Sequence, residues 1–161
     1  MSEDAKSSRA WLLDFGGGLQ AAIGYHEMWQ ALVSPTLFKV PCTPHYCSEV
    51  LIFQKEILPV LDMSSLLERD KISPLMSQVV GIAVYQEVPT LPIRYACLRL
   101  ASMPKGIFVS DDQACDLLAD QFYWKPLALS SFSRDDVVIP IIDLAYLFSE
   151  DFNAFKQGSL V

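Results

Sequence analysis

The chain has 161 residues, which is enough for one compact domain or two tightly fused subdomains. Because 52% of the residues are hydrophobic and only 19% are charged, a disordered chain is excluded. The formal net charge of -7 and the scattered positions of the basic residues disfavour nucleic acid as a partner, since phosphate backbones would be repelled.

Short apolar runs separated by turn residues dominate the chain. They span residues 10–15, 19–25, 49–54, 56–62, 79–86, 95–100, 105–110 and 136–143. Such runs, rich in β-branched and aromatic residues, predict strands, so the expected fold class is mainly β. Gly16, Gly17 and Gly18 between the first two runs predict a tight hairpin, because glycine adopts positive φ without steric cost.

The same runs bear on the location of the protein. None is long enough to span a bilayer, so no direct membrane insertion is expected. The N-terminal residues MSEDAKSSR contain no apolar signal core, which predicts a cytoplasmic protein.

One apolar motif occurs twice. Residues 57–67 read ILPVLDMSSLL, and residues 138–148, 81 positions later, read VIPIIDLAYLF. Each copy predicts a strand that ends at an aspartate, Asp62 or Asp143, which then serves as the N-cap of a short helix. A catalytic pair of these two aspartates is the alternative, but neither has an evident nucleophile or base partner, so capping is favoured.

Each copy of the motif also carries a proline inside its strand. Pro59 and Pro140 have no N–H to donate to a ladder, so we expect each strand to run along a sheet edge or to bend there. Two copies of strand, cap and helical turn predict two small barrels of similar construction.

Cys42, His45 and Cys47 lie close together in the segment PCTPHYC and raise the question of a metal site. No second pair of ligands follows at a usual spacing, and Pro44 constrains the loop, so we predict neither a metal nor a cofactor. In a cytoplasmic chain the four cysteines are expected to be reduced.

The order of these motifs is typical of a known family. Residues 41–44 (PCTP) come first, the segment 57–67 follows, and a second segment of the same kind occupies 139–148. On these motifs the chain resembles the CheW-like domain, the coupling adaptor of bacterial chemosensory arrays. The resemblance implies two intertwined five-stranded β-barrels of the SH3- or OB-like kind with short helices, and no catalytic activity.

The resemblance also implies two protein partners and a domain organisation. The partners are the regulatory domain of a CheA-type histidine kinase and the cytoplasmic tip of a chemoreceptor, which would place the protein beside inner-membrane receptor arrays. The implied domain spans residues 10–148. Residues 1–9 are then expected to be a flexible N-terminus, and residues 149–161 a frayed polar tail.

The sequence departs from the family pattern at several positions. Where the family carries N-L-R-G before the repeated strand, the arginine is replaced by Gln54 and the glycine by Lys55, and an earlier family glycine is replaced by Glu49. Gln30 stands where the family often has the glutamate that pairs with that arginine. Losing both partners of an ion pair can be nearly neutral for stability, so we expect the barrel to be kept and its receptor-facing surface to be altered.

The candidate partner-binding residues lie around these departures. They are Met28, Trp29, Gln30, Glu49, Leu51, Phe53, Gln54 and Lys55. Leu51 and Phe53 are slightly better explained as barrel core, since alternate residues of a strand face inward. Trp29 is the candidate to test first, because a large ring beside the flexible thioether of Met28 suits an adaptable contact.

Three functions remain open from the sequence. The first is a non-enzymatic adaptor between a CheA-type kinase and chemoreceptors, including a divergent branch that serves type IV pilus or twitching systems. The second keeps the fold but changes the receptor contact and gives the chain another signalling or motility partner. The third, a small β-barrel enzyme or an oligonucleotide binder, is disfavoured by the net charge and by the lack of a nucleophile with its base.

Overall fold

The computed structural model describes residues 6–68 and 78–158. Within them lie the strands β1 (Ser7–Asp14), β2 (Gln20–Gly24), β3 (Met28–Val33), β4 (Phe38–Lys39), β5 (Glu49–Phe53), β6 (Glu56–Leu61), β7 (Val79–Tyr85), β8 (Arg94–Leu100), β9 (Lys105–Ser110), β10 (Ala128–Arg134) and β11 (Val137–Ile142). The α-helices are α1 (Met63–Leu66), α2 (Leu144–Leu147) and α3 (Glu150–Gly158), and 3₁₀ helices span Tyr25–Glu27, His45–Cys47, Asp111–Gln113 and Ala119–Leu127. The predicted mainly β fold class is confirmed.

The strands form two sheets, and the chain passes between the sheets twice. The five-stranded sheet has the order β10-β11-β2-β1-β9, and the six-stranded sheet has the order β3-β7-β8-β6-β5-β4. We call the parts of the molecule built on these sheets the five-stranded half and the six-stranded half. The sixth strand beyond the five predicted is β4, a two-residue strand at the sheet edge.

The three consecutive glycines form the predicted hairpin between β1 and β2. Their φ angles are 93° at Gly16, 63° at Gly17 and 81° at Gly18, all in the left-handed region that favours glycine. The turn is closed by backbone hydrogen bonds between Phe15 and Leu19 at 2.9 Å and from the Leu19 N–H to the Gly16 carbonyl at 3.1 Å.

The repeated motif forms equivalent elements in the two halves. In the six-stranded half it is the β5–β6 hairpin followed by α1, and in the five-stranded half it is the β10–β11 hairpin followed by α2. The Asp62 Oδ1 accepts a hydrogen bond from the Ser65 N–H at 3.4 Å, and the Asp143 Oδ1 accepts one from the Tyr146 N–H at 3.2 Å. Both aspartates therefore stand at helix N-caps, each in its own half.

The neighbours of the repeated strands are equivalent as well. β6 pairs in parallel with β8, with Val60 beside Cys97, and β11 pairs in parallel with β2, with Ile141 beside Ala22. Since positions 60 and 141 correspond in the repeat, the β7–β8 hairpin corresponds to the β1–β2 hairpin. Each repeat thus gives its first hairpin to one half and its second hairpin to the other, which makes the two halves intertwined.

The two prolines of the motif do not lie on edge strands, so that part of the prediction was wrong. β6 lies between β8 and β5, and β11 lies between β2 and β10. The parallel pairing of each strand is recorded from Val60 or Ile141, the residue that follows Pro59 or Pro140. The missing N–H groups therefore fall outside the parallel ladders, which is why proline is tolerated in a central strand here.

Buried side chains form three clusters. The largest includes Leu13 and Ile23 from the five-stranded sheet together with Val79 and Leu98 from the six-stranded sheet, so it joins the halves; we call it the central core. A second cluster lies within the six-stranded half: Leu51, Leu58, Val60, Val80, Ile82 and Cys97. A third lies within the five-stranded half: Ala10, Ala22, Ile107, Phe132 and Ile139.

The predicted ends of the domain need correction. β1 starts at Ser7 and so includes part of the segment expected to be flexible, while residues 1–5 lie outside the described residues. The segment expected to be a frayed tail forms α3, and Phe152 is buried in the central core. Ser149 starts this helix because its Oγ accepts a hydrogen bond from the Phe152 N–H at 3.1 Å. Residues 159–161 lie outside the described part of the chain.

Candidate partner-binding site

The turn between β5 and β6 contains two of the predicted partner-binding residues. Gln54 has a φ of 49° and Lys55 a φ of 68°, and both side chains are exposed. Two consecutive residues of positive φ are typical of a type I′ hairpin turn, which prefers Asn-Gly or Asp-Gly because other residues are strained there. The equivalent turn of the other half, Asp135 and Asp136, has φ angles of 50° and 64°. Both turns therefore hold their shape without glycine.

The outer face of the β5–β6 hairpin is apolar and exposed. Ile52 and Ile57 lie opposite each other in the ladder, and 57% and 70% of their respective surfaces are exposed. Phe38 on β4 lies opposite Val50 and so on the same face as Ile52, and it is 48% exposed. We call Phe38, Ile52 and Ile57 the hairpin face.

None of the three residues of the hairpin face was among the predicted partner-binding residues. Strand alternation could have predicted this face, because side chains alternate between the two faces of a strand and a core position for Leu51 places Ile52 on the outer face. Leu51 is only 4% exposed and belongs to the inner cluster of the six-stranded half, which agrees with the core position favoured for it over partner binding. Phe53 is partly buried and packs against the same cluster, which leaves part of its ring accessible.

Glu49 forms an ion pair within the chain. Its Oε1 lies 2.7 Å from Nη1 of Arg99 on β8, and the two side chains are each about one-fifth exposed. The pair bridges across β6, because Glu49 lies beside Val60, and Val60 lies beside Cys97. The Glu49 carboxylate therefore has a partner within the chain, and its contact with another protein stays a prediction.

Met28 was also predicted to bind a partner, but its side chain packs against the central core. A Cβ on Gly81 would lie 2.9 Å from the Met28 Cε, so the close approach of this side chain requires glycine on β7. Met28 is therefore a packing residue that stays partly exposed, and its contact with a partner stays a prediction. The register of the β3–β7 ladder shifts between Met28 and Gln30, so Trp29 has no direct partner there and its side chain points away from that of Met28.

Trp29 and Gln30 are exposed on the edge strand β3. The Trp29 ring is 55% exposed and meets the ring of Tyr95 edge-on, with 6.0 Å between centroids. Because β6 and β8 run in parallel with Val60 beside Cys97, the start of β8 with Tyr95 lies beside the start of β6. Trp29 and the β5–β6 turn therefore lie at the same end of the six-stranded half.

The two residues expected to replace an ion pair are not bonded to each other. Gln30 lies on β3 and Gln54 in the turn after β5, and β7, β8 and β6 separate β3 from β5 in the sheet order. Both side chains are exposed. Both amides are thus free to contact solvent or a partner.

The loop that carries Cys42, His45 and Cys47 does not bring these side chains together as a metal site. The His45 Nε2 lies 3.3 Å from the Ser65 carbonyl, and burial raises the pKa of the Cys47 thiol. Within residues 6–68 and 78–158 no group of three or more potential metal ligands occurs. None of the helices in the same residues combines the length and apolar character that a membrane crossing requires.

Comparison with solved structures identifies the fold. The crystal structure of the scaffolding protein TtCheW from Thermoanaerobacter tengcongensis matches with a TM-score of 0.73, over 89% of this chain and 94% of that chain. The chain has the CheW-like fold. The sequence identity to that protein is 15%, so the CheW-like fold is shared although most side chains differ. No protein-family model matches the chain, and no curated protein matches it.

Proposed function

We propose that this chain is a non-enzymatic adaptor of bacterial chemosensory signalling that couples a CheA-type histidine kinase to chemoreceptors through protein–protein contacts. The CheW-like fold supports the proposal, since the matched protein is described as a scaffolding protein. The observation that carries it in this chain is the hairpin face, where three large apolar side chains are about half or more exposed. Contiguous exposed apolar groups mark sites of interaction with other proteins.

The regulatory domain of the kinase is the partner assigned to the hairpin face. Ile52 and Ile57 would supply the apolar centre of the contact, and the polar side chains of Gln54, Lys55 and Glu56 at the end of the hairpin would form its rim. Trp29, at the same end of the six-stranded half, would extend this surface. The receptor tip would be the second partner, and the adaptor would act in the cytoplasm beside the receptor array.

Two of the cysteine thiols have pKa values that argue against a nucleophilic role for them. Burial raises the pKa of the Cys97 thiol to about 12 and raises the pKa of the Cys47 thiol as well. A thiol must be ionised to act as a nucleophile, so these two are inert at neutral pH. Their burial fits a structural role in the core.

Titration of the purified chain against the regulatory domain of a CheA-type kinase from the same organism tests the proposal. We expect a dissociation constant of about 1 μM. Ile57→Asp should weaken binding at least about tenfold, because a carboxylate would be desolvated at the centre of the contact. The matched control is Leu129→Asp on β10, since Leu129 is 65% exposed and lies in the other half. Absence of binding by the unaltered chain to every such domain contradicts the proposal, and equal loss in both variants contradicts the assigned face.

A second candidate function keeps the fold but changes the receptor contact. It is favoured by Gln30 and Gln54, two exposed uncharged side chains at positions where the resemblance implies a glutamate and an arginine, although three strands separate β3 from β5 in the sheet order. If the chain serves another partner, the double variant Gln30→Glu with Gln54→Arg should not improve its incorporation into receptor arrays. The two single variants are the controls. A clear gain of array localisation in the double variant alone contradicts this second function. Service in a type IV pilus or twitching system stays a prediction.

A further inference from the structure

The five-stranded half contains a cavity that the proposed function does not use. It has a volume of about 240 Å³, and small or apolar residues line much of it: Ala10, Ala22, Gly24, Ser130, Phe132 and Ile141. For scale, an engineered apolar cavity of about 150 Å³ is large enough to bind benzene. The cavity is therefore of a size to hold a small organic molecule.

The repeat shows what occupies the corresponding space in the six-stranded half. Ala22 and Cys97 are equivalent, because each lies beside an equivalent residue of the repeated strand. Two residues further along the same strands stand Gly24 and Arg99. A glycine that lines the cavity thus corresponds to an arginine in the other half.

The residues that lie opposite Gly24 and Arg99 in their ladders also differ in size, and again the smaller one is in the five-stranded half. Gly24 lies opposite Ala10 in the β1–β2 pair, whereas Arg99 lies opposite Val80 in the β7–β8 pair. Val80 is fully buried in the inner cluster of the six-stranded half. At both positions of the pair, the five-stranded half has the smaller side chain.

The carboxylate that pairs with Arg99 is replaced too. Glu49 lies opposite Val60, and Ser130 lies opposite Ile141, so positions 49 and 130 are equivalent. In the six-stranded half, the aliphatic stem of Arg99 and its 2.7 Å contact with Glu49 occupy this region. In the five-stranded half, glycine and serine leave it open.

Two residues of opposite charge, Asp111 and Arg9, contribute to the edge of the cavity. The exposed Asp111 contributes to the lining. Arg9 also contributes and keeps its positive charge, but the carbon of its guanidinium lies 4.1 Å from the centroid of the Tyr25 ring, which is not part of the lining. The strongly negative net charge of the whole chain favours a cation over an anion in this space.

We propose that this cavity is a binding site for a small organic cation with a short aliphatic stem, of the alkylguanidinium or alkylammonium class. The stem lies against Ala10, Ala22 and Ile141, and the cationic head points towards Ser130 and Asp111. The ligand then takes the place that the side chain of Arg99 takes in the other half. The inference does not depend on the adaptor function.

Butylguanidinium is the probe, because it reproduces the stem and head of an arginine side chain. Titration into the full chain, followed by the methyl NMR signals of Ala10 and Ala22, should give a saturable shift with a dissociation constant of about 1 mM, as expected for so few atoms. Butanol and pentanoate, which have a similar stem but a neutral or an anionic head, should bind at least about tenfold more weakly. Binding of either as tightly as the cation overturns the proposed class.

Two variants locate the site. Ala10→Val places the residue of the equivalent position 80 into the cavity and should abolish the shift of the Ala22 methyl, whereas Ala128→Val on the same sheet, outside the lining, should not. Ser130→Glu restores the carboxylate of the equivalent position 49 and should tighten butylguanidinium binding about tenfold while leaving butanol binding unchanged. If Ala10→Val does not fold, the Ser130→Glu measurement decides alone. No saturable shift at about 10 mM, or no response to Ser130→Glu, overturns the proposal.

Discussion

The two halves of the molecule share one framework but fill it differently. The inner cluster of the six-stranded half consists of five branched aliphatic side chains and one cysteine, and the Arg99–Glu49 ion pair lies beside it. The inner cluster of the five-stranded half contains two alanines, and glycine and serine stand at the positions of the ion pair. The hairpins, caps and parallel pairings are nevertheless the same. The backbone arrangement therefore depends on the pattern of apolar, turn and cap residues, and not on how completely each half is packed.

The largest difference between the halves is expected on shortening an inner aliphatic residue. Ile82 and Leu12 are equivalent, since Ile82 lies opposite Cys97 and Leu12 opposite Ala22. Ile82→Ala should lower the free energy of unfolding by about 4 kcal/mol, because a fully packed site leaves a cavity. Leu12→Ala should cost only about 2 kcal/mol, because Leu12 is partly exposed and has the cavity nearby. Urea denaturation measures both, and equal losses would show that the halves are packed alike.

The ion pair should give the next largest effect. Arg99→Met keeps the stem but leaves the mostly buried Glu49 carboxylate without its cation, so the free energy of unfolding should fall by about 2 kcal/mol. Adding Glu49→Gln to that variant should recover most of the loss, because no charge is then left unpaired. Glu49→Gln alone is the control for the amide. If the double variant is no more stable than Arg99→Met, the loss of stability does not come from an unpaired Glu49 carboxylate.

The two hairpin turns permit a smaller and more symmetric test. Lys55→Gly should raise the free energy of unfolding by about 1 kcal/mol, since glycine relieves the left-handed conformation at φ 68°. Asp136→Gly, at the equivalent position with φ 64°, should gain about half as much, because aspartate tolerates this conformation better than lysine does. Thermal unfolding of the two variants side by side measures the difference. A loss of stability at either site contradicts the strain argument.

The smallest expected effect concerns Glu27, which lies where the chain first passes between the sheets, from β2 to β3. Residues 101–104, where the chain passes back from β8 to β9, contain no carboxylate. Burial raises the pKa of Glu27 above 4.5, against the lowering effect of the 2.7 Å hydrogen bond from the Gly24 N–H, and the Asp143 carboxylate raises it further. The folded state then binds more protons than the unfolded state, so stability falls as pH rises from about 4.5 through the folded pKa.

Glu27→Gln should remove this fall, because its amide oxygen can still accept from Gly24 and does not ionise. Urea midpoints of both chains between about pH 4 and pH 7 measure it. Parallel pH dependence in the two chains would show that Glu27 is not its source.

Features encoded by neighbouring residues could be predicted from the sequence, and features that join distant residues could not. The three-glycine hairpin and the caps at Asp62 and Asp143 depend on residues within about one turn of chain, so their residue types are informative. The Arg99–Glu49 pair joins residues 50 positions apart across an intervening strand. No local pattern indicates such a pair, and Glu49 was therefore assigned to the surface.

The candidate site shows the same limit. The four predicted residues Trp29, Gln30, Gln54 and Lys55 are exposed, but nothing in their spacing reveals that Trp29 lies at the same end of the six-stranded half as the β5–β6 turn. The helix α3 could have been predicted, because Ser149 followed by two acidic residues and an apolar Phe152 is a normal helix start. The polar composition of residues 149–161 instead suggested a frayed tail.

The exchange of hairpins between the repeats has a consequence for biosynthesis. The strands of the six-stranded half are contiguous in the chain, from Met28 to Leu100, so this half can assemble on the ribosome once that stretch has emerged. The β1–β2 hairpin is synthesised first but must wait for β9 to β11, which are made last, before its partners exist. During translation the β1–β2 hairpin therefore lacks its neighbouring strands and exposes its apolar face, which makes it the expected binding site for a chaperone that recognises nascent chains.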